Sequence, residues 1–440
     1  MDLEVEPQKD EIARIMVKSK LLIISLDAIS NSDLALLKQS PIFNNLCREG
    51  SVVTDVSPVF VSNTYPIHTS VITGCYPSKH GIYDNVKPIP GDKNPEWFWF
   101  SKDIKIQTLY DAATKAGLVT ASMFWPVTAG AKIKYNIPEI LPTKPRENQI
   151  TLSLKNGSPL FTLKSALKFG KRLKGPSQPA LDDFSCNVMC DVIKRKEPDL
   201  MLIHFTDADS QKHNFGVGSN EANESILRMN YRIDKLLTAL SSSTCYDNYH
   251  IIIFSDHGMS NVQKSVDPNA SIEDEGLIKY SPTRNVLSWK AWMKGCGGSA
   301  FCYLNKDYLN VLNESQKVDF QNSIRNIFIT EFENKEGVFS GFINEKEFIE
   351  SGLNSECLFG VSAKPGIELI NNNEKSHMAN HGYSLESGEY NTFYIALGPK
   401  IKKNFKITGG SLLEIAPLAC HLLNIPIWEM DGHTRKEILL

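Results

Sequence analysis

Five short apolar runs constrain this chain more than any other feature. They are LLIISL at 21–26, LVTASMF at 118–124, DLMLIHF at 199–205, HIIIF at 250–254 and FYIAL at 393–397. Each stops at polar, acidic or turn-forming residues: Asp27, Trp125-Pro126, Thr206-Asp207-Ala208-Asp209, Ser255-Asp256-His257 and Gly398-Pro399. Runs of this length without alternation read as strands buried on both faces, the pattern of a parallel sheet. Helical patterns fall between them. In 221–240, Ile226, Met229, Ile233, Leu236, Leu237 and Leu240 recur at helical spacing, and 107–117 reads as a helix stopped by Gly117. Strands alternating with helices predict an α/β fold with a doubly wound, mostly parallel central sheet flanked by helices. In such sheets the chemistry gathers beyond the carboxyl ends of the strands.

Two stretches break the rhythm. Residues 130–180 are rich in Pro, Lys and Gly and read as an insertion. Residues 265–375 mix short amphipathic pieces with Gly295-Cys296-Gly297-Gly298 and read as a smaller cap subdomain. The catalytic α/β domain is then 20–264 plus 376–440. The charge balance, 47 basic against 50 acidic residues for a net of −3, provides no broad footprint for nucleic acid or an anionic membrane. No segment reaches the ~18 apolar residues of a membrane span. The first twenty residues, MDLEVEPQKDEIARIMVKSK, lack a secretory pattern. The nine cysteines are odd in number and scattered, which favours reduced thiols and a cytoplasmic protein.

The chemistry-bearing residues cluster at the strand ends. Asp27 follows the first run. Thr64-Tyr65-Pro66-Ile67-His68 combines a helix-capping threonine with a first-turn proline. As a bare pattern Thr64 is a cap. A helix N-terminus is also an anion site, where a metal-activated hydroxyl is well placed to attack phosphorus. Asp209 and His213 stand four apart and can converge on one ion, with Asp207 a competitor. Asp256-His257-Gly258 closes the fourth run, and Asn380-His381-Gly382-Tyr383 lies far downstream. Hard carboxylate oxygens mixed with imidazole nitrogens suit zinc or manganese. Three aspartates, three histidines and one hydroxyl suffice to hold two ions that clamp a phosphoryl group.

These segments resemble the alkaline phosphatase superfamily, and within it the nucleotide pyrophosphatase/phosphodiesterase branch in a compact bacterial-type form. The similarity lies in TYPIHTSVITGCYPSKHGIYDN at 64–85, DSQKH at 209–213, SDHGM at 255–259 and NHGY at 380–383, in the family's order. The resemblance implies a hydrolase of phosphodiester or pyrophosphate bonds working on a small-molecule or nucleotide substrate. It implies that Asp27, Thr64, Asp256 and His257 hold one zinc (manganese or iron would use the same ligands). Asp209, His213 and His381 would hold the other. Thr64 becomes the covalent nucleophile, Asn85 donates to a phosphate oxygen, and Tyr65 walls a leaving-group or nucleoside pocket. His68 and His80 match positions that are not ligands.

One departure stands out. The family's usual Asp-Ser-Ser-Gly-His is here Asp209-Ser210-Gln211-Lys212-His213. Lys212 either reaches toward an anionic substrate group or faces solvent, the second being the preferred reading. The Trp97-Phe98-Trp99-Phe100 run reads as a buried loop or strand. Thr64-Tyr65-Pro66-Ile67-His68 lacks the Arg of a sulfatase motif, and no Arg clamp of a monoester phosphatase is found near Thr64. A phosphonoacetate-type carbon–phosphorus hydrolase or a phosphomonoesterase on the same scaffold, and a catalytically dead binding module, are the alternatives.

Overall fold

The computed structural model describes residues 18–440 except 145, 174, 176, 335, 336, 372, 373, 388 and 389. Residues 1–17, most of the segment read above as lacking a secretory pattern, lie outside the described residues. Eight strands make the central sheet and four a second sheet. In chain order they are β1 (Lys20–Leu26), β2 (Gly50–Val56), β3 (Thr120–Met123), β4 (Tyr135–Ile137), β5 (Leu200–Phe205) and β6 (Tyr249–Phe254). Then come β7 (Ala291–Cys296), β8 (Ser299–Leu304), β9 (Phe339–Phe342), β10 (Gly360–Ala363), β11 (Thr392–Leu397) and β12 (Phe405–Thr408).

The central sheet runs β12-β2-β11-β6-β1-β5-β3-β4. All five apolar runs lie in it. Successive residues of each strand feed opposite faces. Leu22, Ile24 and Leu26 of β1 join one core with Phe43, Phe184, Ile226 and Ile233. Leu21 and Ile23 join the other, with Ile67, Leu109 and Leu418. Helices thus cover both faces, as the unbroken hydrophobicity of the strands requires. The 221–240 pattern is realised as the helix Asn220–Ser241. The fold is the expected α/β type with a mostly parallel sheet.

One strand departs from the sequence reading. β11 is buried like its neighbours but antiparallel to both β2 and β6, whereas the other adjacent pairs are parallel. Hydrophobicity on both faces reports burial and is blind to direction. The consequence for the site is direct. An antiparallel strand begins where its neighbours end, so the chain just before β11 lies at their carboxyl edge.

Residues 130–180 contribute the edge strand β4 and the helices Gln149–Asn156 and Pro159–Phe169. Within 265–375, the sheet β7-β8-β10-β9 packs on the helix Glu314–Glu333 around a core that includes Trp292, Phe328, Phe339 and Val361. Tyr383 and Tyr390, from the approach to β11, join the same core. Among the described residues no helix is long and apolar enough to cross a membrane.

Candidate metal centre

Five segments converge at the carboxyl edge of the sheet. Asp27 directly follows β1, and Asp256 and His257 follow β6. Asp209 and His213 share the helix Asp207–Phe215 after β5. Thr64 opens the helix Thr64–Thr73 after β2. His381 precedes β11 and reaches the same edge because that strand is reversed. Gly382 lets the chain turn at once (φ +83°), and a Cβ there would collide with the carbonyl of Cys296.

The ligand-type atoms form three groups among the described residues, one of them His68, His204 and Asp256. In the other two, those of Asp27, Asp256 and His257 lie within 4.8 Å of one another, as do those of Asp209, His257 and His381. His257 therefore sits between these two. His213 Nε2 lies 3.3 Å from Asp209 Oδ1, and the His213 and His381 rings are 5.3 Å apart. The His257 and His381 rings stack at 4.1 Å.

The histidines are oriented alike. Nδ1 of His213 faces Ala379 O at 2.9 Å, that of His257 faces Gly258 O at 3.1 Å, and that of His381 faces Ser62 O at 3.0 Å. A carbonyl only accepts, so each Nδ1 carries the proton and each Nε2 presents a lone pair. Those lone pairs meet carboxylate oxygens: His257 Nε2 is 3.5 Å from Asp27 Oδ1 and 3.4 Å from Asp256 Oδ2. Asp27 Oδ1, Asp209 Oδ1 and Asp256 Oδ2 are buried and accept no hydrogen bond among the described residues. Acceptors facing acceptors at this range fit cations held between them. The pKa directions of Asp27 and His381 agree, whereas for His213 burial is outweighed by the Asp209 carboxylate, which raises the imidazole above its usual range. Burial, with the charges of Asp256 and Asp209, pushes Asp27 well above the usual carboxylate range, a penalty that a divalent cation relieves. Burial, with His257 and His213 alongside, lowers His381 well below the usual range, which keeps it neutral and ready to ligate.

Thr64 is not the helix cap. Asn63 occupies the cap position, and Thr64 is the first helical residue. Its Oγ1 lies 3.5 Å from His257 Nε2. His68 Nδ1 donates to Thr64 O at 2.8 Å, and its Nε2 meets Ser25 Oγ at 2.8 Å, which ties the helix start to β1. His80 also works inside the protein: it is buried, bonded to Ser70 Oγ at 2.9 Å, and accepts from Ile82 N–H at 3.1 Å. Asn85 Oδ1 accepts from the Tyr65 N–H at 2.9 Å, which leaves its amide nitrogen to donate elsewhere. Asp84 accepts from Asn85 N–H at 2.6 Å and from Asn63 Nδ2 at 3.3 Å. Strand β7 braces this pair: Lys294 Nζ lies 3.7 Å from Asp84 Oδ2, and Asn63 Nδ2 lies 2.9 Å from Cys296 Sγ.

Two expectations are corrected. Tyr65 does not wall a pocket: it is 0% exposed, in a core with Phe98, Trp99 and Val127, its ring edge-on to Trp97 at 5.3 Å. A side chain at the first turn of a wholly buried helix points into the protein. Lys212 neither faces solvent nor extends toward substrate. It is 1% exposed, and its Nζ donates to Ala28 O at 2.7 Å and to Asp33 Oδ2 at 2.6 Å. It thereby fastens the helix bearing Asp209 and His213 to the loop bearing Asp27. Asp207, the competing ligand, is occupied by Arg228 and Arg232 at 2.8–2.9 Å.

The sequence reading missed His204. Its Nε2 lies 3.0 Å from Asp27 Oδ2, which orients that carboxylate from behind. The available signal was a lone imidazole within the apolar run LMLIHF, one residue before the strand's end.

The profile of the family described as type I phosphodiesterase / nucleotide pyrophosphatase matches residues 21–384. The chain belongs to that family. Rat ectonucleotide pyrophosphatase/phosphodiesterase family member 7 is 21% identical over 94% of this chain and 85% of its own length. Human bis(5'-adenosyl)-triphosphatase ENPP4 is 22% identical over 94% of this chain and 81% of its own. Among solved structures, murine family member 5, in an inactive threonine-to-alanine form bound to AMP, superposes with a TM-score of 0.67. It is 18% identical over 96% of this chain and 100% of that one, and shares the fold.

Proposed function

We propose that this protein is a metal-dependent hydrolase of phosphodiester or pyrophosphate bonds that acts through a covalent phosphothreonine at Thr64. The observation that carries the reading is the convergence of Asp27, Asp209, His213, Asp256, His257 and His381 at one edge of the sheet, with the Thr64 hydroxyl 3.5 Å from His257 Nε2. Asp27, Asp256, His257 and Thr64 would hold one ion, and Asp209, His213 and His381 the other. The donor set of carboxylates and Nε2 imidazoles suits zinc best. Such a pair of ions, when bound, lowers the hydroxyl pKa and offsets charge on the phosphoryl oxygens.

The chain's own groups do the rest. Thr64 Oγ1 attacks phosphorus, forming the Oγ–P bond as the bond to the leaving oxygen breaks. His68, through Thr64 O, and Asn63, through Asp84, hold the helix start in place for that attack. The free Asn85 amide donates to a non-bridging oxygen, with the helix N-terminus adding its dipole. Water then attacks from the vacated side and the P–Oγ bond breaks, restoring Thr64. A nucleotide or related diester fits the relatives' names and the AMP bound to the murine one. The nine cysteines are all free, which supports a reducing compartment such as the cytoplasm, in contrast to the "ecto" of those names.

The test compares kcat/KM of the zinc-loaded protein on an aryl nucleotide diester and on an aryl phosphate monoester. Diester preference is expected, with kcat falling at least about 10³-fold in Thr64→Ala while both ions are retained. Undiminished turnover in that variant would remove Thr64 as nucleophile, and a monoester preference would favour a phosphatase.

A further inference from the structure

The helix Pro159–Phe169 packs Phe161 and Phe169 partly against the core and buries two hydroxyls, Thr162 and Ser165. Its leucines face water: Leu160 is 74% exposed, Leu163 44% and Leu167 72%. Their spacing of three and four residues puts them on one stripe. The helix that packs beside it, Gln149–Asn156, adds Ile150, 65% exposed. A helix in a globular protein normally turns such a stripe to the core, and contiguous exposed apolar surface marks an interaction site.

The charges around the stripe say what it meets. Between 144 and 171 the sequence carries six basic residues, Lys144, Arg146, Lys155, Lys164, Lys168 and Lys171, against the single acid Glu147. All six are exposed. Lys164 and Lys168 each follow a stripe leucine by one position and so border it along its length. Lys168 is paired with Asp191 at 2.6 Å. The whole chain is slightly acidic, so this excess is local to the stretch. Apolar side chains bordered by lysines complement an anionic lipid surface, where leucines enter the acyl boundary and ammonium groups meet phosphate.

We propose that the Pro159–Phe169 helix docks this protein on anionic membrane surfaces. The proposal stands apart from the hydrolytic reading, because docking needs no turnover. The experiment is co-sedimentation with phosphatidylserine–phosphatidylcholine vesicles and with phosphatidylcholine vesicles alone, at low and high salt. Binding is expected to be at least about tenfold tighter to the anionic vesicles and to weaken with salt. The variant L160S/L163S/L167S is expected to lose about tenfold in affinity, and K155E/K164E to lose the preference for anionic lipid. Near-ultraviolet circular dichroism identifies variants that have kept their fold. Equal weak binding to both vesicle types overturns the proposal, as does unchanged binding by the serine variant. So does concentration-dependent, leucine-dependent dimerisation without vesicle binding, which would assign the stripe to a second copy of the chain.

Discussion

Two helices of nearly equal length solve opposite problems. In Thr64–Thr73 every residue is buried, including Thr64, His68, Thr69, Ser70 and Thr73. In Pro159–Phe169 only Thr162 and Ser165 are. The first helix satisfies its buried hydroxyls locally: Thr69 Oγ1 donates to Tyr65 O and Thr73 Oγ1 to Thr69 O, each at 2.8 Å. That leaves the Thr64 hydroxyl turned toward His257. The second leaves apolar surface in water where the core had no use for it. Polar burial and apolar exposure both run against the ordinary partition of residues, and each marks a place where something besides folding is served.

The comparison breaks if the two helices respond alike to substitution. The largest effect is expected at Ile67, 0% exposed against the sheet: Ile67→Ala should cost about 2–5 kcal/mol in urea unfolding. An intermediate effect is expected from Lys212→Met, which cuts the tie between the segments bearing Asp209, His213 and Asp27. Zinc affinity, read by competition with a chelator, should fall about 10–100-fold, as for losses of groups that support metal ligands. An unchanged affinity would make Lys212 a packing residue only. The smallest is expected at Leu160, where Leu160→Ser should shift stability by no more than about 0.5 kcal/mol. A larger loss would show that the stripe packs against the protein itself.

The sequence made the interior of the sheet legible and its margins much less so. The five apolar runs are central-sheet segments because hydrophobicity on both faces has no other outlet in a chain of this size. β2 escaped notice because GSVVTDV begins with glycine and ends among polar residues. The direction of β11 is set by its partners, and no residue within it records them. The motif residues could be picked out because most stand just past apolar runs, and the structure brings Asp27, Asp209, Asp256, His257 and His381 together. Lys212 and His204 could not, since each acts through a partner distant in sequence, Asp33 and Asp27 respectively. Tyr65 is a related case: Thr64 before it faces His257, and only the packing shows that the Tyr65 ring lies in a core with Phe98 and Trp99.

The placement of β1 bears on how the protein emerges from the ribosome. The first of the described strands lies between β5 and β6, so its partners begin only at Leu200 and Tyr249. A long nascent segment must wait with an unpaired, strongly apolar strand, the circumstance in which chains aggregate or recruit chaperones. The last donor, His381, arrives later still, after the second sheet has been synthesised. The candidate centre therefore cannot be completed on a chain that stops before His381, and metal loading would report that synthesis has passed that residue.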